Sequence, residues 1–261
     1  MNQGKIILKK YLSCNHFYKE KPKMVIMKNC SILLIASLLF ASCQTLTGNG
    51  NVRDEKRNIP EISEINTSGS IDVEIKNGDT YSLTVHNDDN LLPYMITEVN
   101  NGALNVHYKN GYFINHDHAK VIVTVPSLEK LTTSGSADIN SDGVIKNSKN
   151  IEIKTSGSGD IKVEVDAPSI TVNGSGSGNV TLSGMTKDFD CKMSGSGDVK
   201  CSNLKSENAV IHVSGSSDIH VFASVSLKVN VTGSGDVYYT GNPTSPEIHI
   251  TGSGTVQESK E

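Results

Sequence analysis

The 261-residue sequence predicts an all-β protein, a parallel β-helix with about 20 residues per coil. Three observations lead there. A phrase of the type Ser-Gly-Ser-Gly-Asp returns along the chain at a nearly constant interval. The residues around it alternate between apolar and polar. At fixed offsets from the phrase the apolar residues are almost all Ile or Val.

Residues 1–42 stand apart. Lys21, Lys23 and Lys28 precede an apolar run at 32–40, followed by Ala41-Ser42-Cys43. A basic segment, a short apolar run and small residues make a secretory signal peptide. The run is too short for a comfortable spanning helix. Cys43 after Ala-Ser resembles the lipobox of bacterial lipoproteins, in which that cysteine is lipidated; Phe40 stands where Leu is usual. Met24 or Met27 is a more natural start than Met1, which makes residues 1–23 a misassigned extension. Residues 43–60 are expected to be the lipidated Cys43 and a polar tether.

Residues 61–126 are irregular, and read either as elaborated early coils or as a hairpin-rich cap. Asn77-Gly78 and Asn101-Gly102 each sit between alternating segments, the signal of a tight β-hairpin. The segment 119–126, "AKVIVTVP", is a further strand closing at Pro126.

Residues 127–257 carry the regular coils. Taking the first Ser or Thr of each phrase as a marker gives Ser68, Ser134, Ser156, Ser175, Ser194, Ser214, Thr232 and Thr251. Successive gaps are 66, 22, 19, 19, 20, 18 and 19, the first being three times 22. A period near 20 is the signature of a solenoid whose coils stack on one another. Three places before the marker lie Ile65, Leu131, Ile153, Val172, Cys191, Ile211, Val229 and Ile248; five places after it lie Val73, Ile139, Ile161, Val180, Val199, Ile219, Val237 and Val256. Period 2 with β-branched residues means half-buried strands and not helices. One place after each marker stands a glycine: Gly69, Gly135, Gly157, Gly176, Gly195, Gly215, Gly233 and Gly252. Glycine in phase with apolar columns reads as a structural corner, because it accepts the backbone angles of a sharp bend and lets stacked bends approach closely.

Without residues 1–42, which hold seven Lys and one Glu, the chain keeps 17 basic and 27 acidic groups, a net of −10. Such a surface repels nucleic acid and anionic headgroups. Membrane association would then rest on the lipid anchor. Beyond Cys43 only Cys191 and Cys201 remain, too few for a disulfide scaffold or a four-ligand zinc site. Both fall in apolar columns, as small buried hydrophobes or as a disulfide across the coil.

The lipobox, "SEINTSGSIDVEI", "NGDTYSLTVHNDDNLL", "NNGALNVHY", "VIVTVPSLEKLTTSGSADI" and the run of SGSGD phrases together resemble the bacterial family called putative auto-transporter adhesin, head GIN domain. The resemblance covers about residues 60–257. It implies a right-handed β-helix on an exported lipoprotein and a role in adhesion. It carries over no functional residues.

Four places after the marker come Asp72, Asp138, Asp160, Asn179, Asp198, Asp218, Asp236 and Thr255. In stacked coils these side chains line up about 4.8 Å apart. Asp160, Asp198, Asp218 and Asp236 could hold Ca²⁺, an oxygen-seeking ion, and the phrase is similar to calcium-binding nonapeptides. The same residues also cap turns through nearby amides. The stretch 107–118, "HYKNGYFINHDH", is crowded with aromatics and histidines. Tyr108, Tyr112 and Phe113 could stack on a sugar, and His116 and His118 could meet a metal; a hairpin tip packed on the solenoid's flank is the plainer reading.

No nucleophile elbow, zinc-protease, P-loop or Cys–His pattern is present. The expectation is a non-enzymatic cell-envelope lipoprotein at the outer membrane, facing periplasm or surface. It needs no cofactor and meets a glycan or an envelope protein. The rivals are a carbohydrate-active β-helix enzyme, a lyase or hydrolase, and a Ca²⁺-stabilised structural module.

Overall fold

The computed structural model describes residues 44–259; the expected signal peptide and Cys43 lie outside them. In chain order the strands are β1 (Gln44–Thr47), β2 (Val52–Arg57), β3 (Glu64–Gly69), β4 (Asp72–Asn77) and β5 (Ser82–Asp88). A single 3-10 turn, Leu92–Tyr94, leads to β6 (Met95–Asn100), β7 (Ala103–Tyr108), β8 (Tyr112–Asn115) and β9 (Lys120–Val125). The remaining chain alternates strand and corner: β10 (Lys130–Gly135), β11 (Ile139–Lys146), β12 (Asn150–Gly157), β13 (Ile161–Gly176), β14 (Val180–Gly195) and β15 (Val199–Gly215). It closes with β16 (Ile219–Ala223), β17 (Ser226–Gly233), β18 (Val237–Gly241), β19 (Glu247–Gly252) and β20 (Val256–Glu258).

These strands form a β-solenoid. On one side of the corner the parallel stack runs β3–β10–β12–β13–β14–β15–β17–β19, pairing Ile65, Leu131, Ile153, Val172, Cys191, Ile211, Val229 and Ile248 in turn. On the other side it runs β4–β11–β13–β14–β15–β16–β18–β20, from Val73 and Ile139 to Val237 and Val256. The expected columns are thus the interior, and their members up to Val237 are buried. Each aliphatic side chain removed from water there contributes about 1.5–3 kcal/mol. A further inward column is Ile151, Ile170, Phe189, Ala209 and Leu227, all buried, with the largest side chain, Phe189, next to the smallest, Ala209.

The corners are built as the glycines imply. At Gly176 the backbone takes φ +124°, and a Cβ there would collide with the carbonyl oxygen of Gly157 one coil earlier. Gly69, the first corner, also has φ +91° but meets nothing within 4 Å, because no corner lies beneath it. Buried threonines brace the first corners from inside: Thr67 Oγ1 donates to the Ile71 carbonyl (3.0 Å) and Thr133 Oγ1 to that of Ala137 (2.9 Å).

The first 66-residue gap is not three coils. Ser68 and Ser134 lie on adjoining rungs, because β3 pairs directly with β10. The intervening chain leaves after β4 and comes back twice. Strand β7 returns beneath β3, matching Ile65 with Leu104, and β9 returns beneath β4, matching Val73 with Val121. Together they make a rung that the antiparallel partners β6 and β5 flank, with β2 beyond β5.

Two local expectations change here. Asn101-Gly102 does close a hairpin between β6 and β7, with positive φ at both residues (52° and 80°), the geometry of a type I′ turn. Asn77-Gly78 does not: β4 and β5 are separated by β9, and the Gly78 N–H donates to the Val125 carbonyl of that strand (3.1 Å). The segment read as a polar tether carries β1 and β2, which pair with β8 and β5. Charged residues at exposed edge positions disguise β2 as a linker.

Candidate functional site

Strand β5 ends in Asn87 and Asp88, both 0% exposed, and a buried amide and carboxylate require partners. Strand β7, the loop before β9 and the segment between β1 and β2 supply them. Asn87 Oδ1 accepts the N–H groups of Asp88 (2.8 Å) and His118 (3.3 Å), while its Nδ2 donates to the Tyr108 hydroxyl (2.7 Å). Tyr108 in turn donates to Asp117 Oδ2 (2.5 Å). Burial, reinforced by the Asp117 carboxylate, pushes the Tyr108 phenol far up, so it remains a donor. Asp88 accepts from His118 Nδ1 (2.9 Å) and from the Gly50 N–H (2.5 Å). The His118 bond holds its carboxyl below the usual range in spite of burial. The network therefore begins at a buried carboxylate and ends at an exposed imidazole.

Of the residues singled out in the sequence, Tyr108 and His118 meet in this network. Tyr112 packs its ring on Tyr94, centroids 4.7 Å apart and tilted by 60°. Phe113 points outward and is 58% exposed. His116 sits in the left-handed region (φ 50°), exposed, and does not join His118. Among the described residues no group of three His, Cys, Asp or Glu side chains is arranged to hold a metal ion. Ser68, Gly69, Ser70, His107, Tyr108 and Tyr112 help to line a groove of about 320 Å³ between the first corner and β8.

The column of corner carboxylates has a structural occupation. Asp138, Asp160, Asp198, Asp218 and Asp236 each use Oδ1 to accept the backbone N–H of the next coil's corner, as does Asn179 through its amide oxygen. Distances run from 2.7 Å at Asp160 and Asp236 to 3.4 Å at Asp198. The capping is between coils, where the sequence alone led us to expect nearby amides. At the first of the series, burial raises the Asp72 carboxyl above its ordinary range, opposed by the Asp138 N–H that it accepts.

Cys191 and Cys201 are free, buried thiols. Burial pushes both up, Cys201 to about 12, the direction opposite to that of a nucleophile.

A second groove, of about 530 Å³, crosses the coils beside the corners. Its outward row is Thr132, Lys154, Asn173, Lys192 and His212, two places before the markers, and the marker serines Ser156, Ser175, Ser194 and Ser214 run beside it. Gly174 breaks the inward column, and the Met193 thioether lies in the space that a Cβ at Gly174 would need. The hydroxyls of Thr132 and of Thr155, which is 4% exposed, have no partner here. Lys154 and Lys192 each pair along their own strand, with Glu152 (2.8 Å) and Asp190 (3.3 Å). The sequence shows this row only as polar residues on the solvent face of each strand. Its meaning appears when the coils are stacked.

Residues 61–243 match the family model described as putative auto-transporter adhesin, head GIN domain. Among solved structures the chain is similar to a putative adhesin of Bacteroides fragilis NCTC 9343, with 20% identity, 82% of this chain and 100% of that one covered, and a TM-score of 0.78. It is also similar to a putative lipid binding protein (26% identity, TM-score 0.66) and a putative adhesin (26%, 0.64), both of Parabacteroides distasonis ATCC 8503. Each of those two alignments covers 83% of this chain and 100% of the other. No curated protein matches the chain.

Proposed function

This chain belongs to the putative auto-transporter adhesin, head GIN domain family, and from that premise we propose that it works by binding and not by catalysis. It is a lipid-anchored protein of the cell envelope whose solenoid presents a polyhydroxylated ligand, a glycan, with a rigid surface. One observation carries this reading: the groove of Thr132, Lys154, Asn173, Lys192 and His212, floored by Gly174 and Met193. It offers ammonium, amide, imidazole and hydroxyl groups at the spacing of the coils. Recognition by a row of such groups on rigid strands needs no moving parts.

Non-catalytic action is supported by what the reactive groups are doing. The thiols are buried and protonated, and the corner carboxylates are committed to amides of the next coil. Anchoring is supported by the lipobox-like Ala41-Ser42-Cys43.

A glycan array probed with the full chain and with the Lys154→Glu/Lys192→Glu variant tests the proposal. Binding to a restricted set of glycans, lost in the variant, is expected. Equal binding by both proteins rejects the groove, and glycan cleavage that one Asp substitution abolishes rejects the non-catalytic reading.

A further inference from the structure

We infer that the β1/β8 edge of the N-terminal cap, led by Phe113, sits in the lipid–water interface and seats the solenoid directly on its membrane. This rests on the proposal that Cys43 carries the lipid. No tether separates Cys43 from the first strand. Strand β1 starts at Gln44, one peptide bond after Cys43, and is paired in parallel with β8: Gln44 with Tyr112, Thr45 with Phe113, Leu46 with Ile114. The Gln44 N–H donates to the Gly111 carbonyl (3.1 Å), so the pairing holds from its first residue. A lipid on Cys43 would therefore be joined, one peptide bond away, to a strand about 4.8 Å from β8. Acyl chains on Cys43 would have to enter the bilayer beside this edge.

The edge has the chemistry for that position. Phe113 is 58% exposed, an unusual state for a phenylalanine, and Tyr112 and Ile114 are half-buried next to it. Gly111 and Asn110 precede them, and Lys109 is the one charged residue in 109–116. Tyr favours the headgroup level of a bilayer, and Phe and Leu bury at the headgroup–acyl boundary. A net charge of −10 on the chain after residue 42, from 17 basic and 27 acidic groups, argues for an apolar and not an electrostatic second contact.

The chain contains no Trp, so Phe113→Trp is a unique reporter. The full chain with this substitution, expressed with its own leader and reconstituted in phosphatidylcholine vesicles with and without brominated lipid, is compared with Val225→Trp. Val225 is 51% exposed and bonded to β15 through Glu207; from β3 it lies six coil spacings away, about 29 Å. A blue-shifted indole emission from the Phe113→Trp protein, quenched several-fold more by brominated lipid than that of the Val225→Trp protein, is expected. Equal emission and quenching in the two variants overturns the interface seat. Mass analysis of the N-terminal peptide reads the lipid separately. Acylated protein without the shift ends only this inference. Unacylated protein without the shift ends both it and the anchor.

Discussion

Asp160 and Asn179 are joined twice over at one corner. The Asp160 carboxylate accepts the Asn179 backbone N–H at 2.7 Å, and the Asn179 carbonyl accepts the N–H of Ile161, the residue after Asp160, at 2.8 Å. The same exchange links Asp138 with Asp160, at 2.8 and 2.9 Å. The side chain thus supplies a ladder rung where the bend interrupts the backbone ladder. This explains why a carboxylate column is tolerated: each charge is met by an N–H dipole, which offsets repulsion between exposed neighbours of order 1 kcal/mol.

The ladder makes a clear distinction between variants. Asp160→Ala leaves the Asn179 amide without its acceptor and is expected to destabilise by about 1 kcal/mol, as loss of a cap does. Asp160→Asn keeps an acceptor, as Asn179 itself does, and should be close to neutral. Urea midpoints of the two variants check this; a midpoint for Asp160→Asn as low as for Asp160→Ala would show that charge and not hydrogen bonding matters. Excess calcium or EDTA is expected to move neither midpoint.

Corner glycines should differ by position. Gly176→Ala faces both positive φ and a collision with the Gly157 carbonyl, and is expected to cost about 2–5 kcal/mol. Gly69→Ala meets only the conformational penalty, about 1–2 kcal/mol, because nothing lies within 4 Å. Equilibrium unfolding of both variants tests the order.

Thiol chemistry should report unfolding. Cys191 and Cys201 are buried and their thiols are pushed up, so a thiol reagent at pH 8 is expected to label them only in denaturant. Cys191→Val should fold, since Val172 and Ile211 are its register partners in the stack. Rapid labelling of the native protein would contradict this packing.

The cap should loosen in acid. The Asp88 carboxyl is held below its ordinary value chiefly by His118. A depressed carboxyl contributes stability that is present above its unfolded pKa, about 3.9, and disappears as pH falls through the folded one. The protection factor of the Gly50 amide, whose N–H donates to Asp88, is expected to fall locally below about pH 4. In Asp88→Asn the protection should be weaker at neutral pH and lose that dependence.

Much of this molecule is readable without coordinates. The period, the Ile and Val columns, the glycine corners and the Asn101-Gly102 turn are local or periodic. Strand alternation and backbone freedom act within a few residues, and repetition multiplies the signal. What only the tertiary structure decided is where the chain returns after an excursion. Asn77-Gly78 carries the same turn chemistry as Asn101-Gly102, yet β9 takes the place beside β4, because burying Val121 and Val123 against Val73 and Ile75 outweighs the local preference. Ser68 and Ser134 become neighbours across 66 residues for the same reason. Thr132, Lys154, Asn173, Lys192 and His212 form one row, and Gln44 is tied to the strand that carries Phe113, only because strands distant in sequence share hydrogen bonds. Such pairings follow from the packing of the whole chain, and no short stretch encodes them.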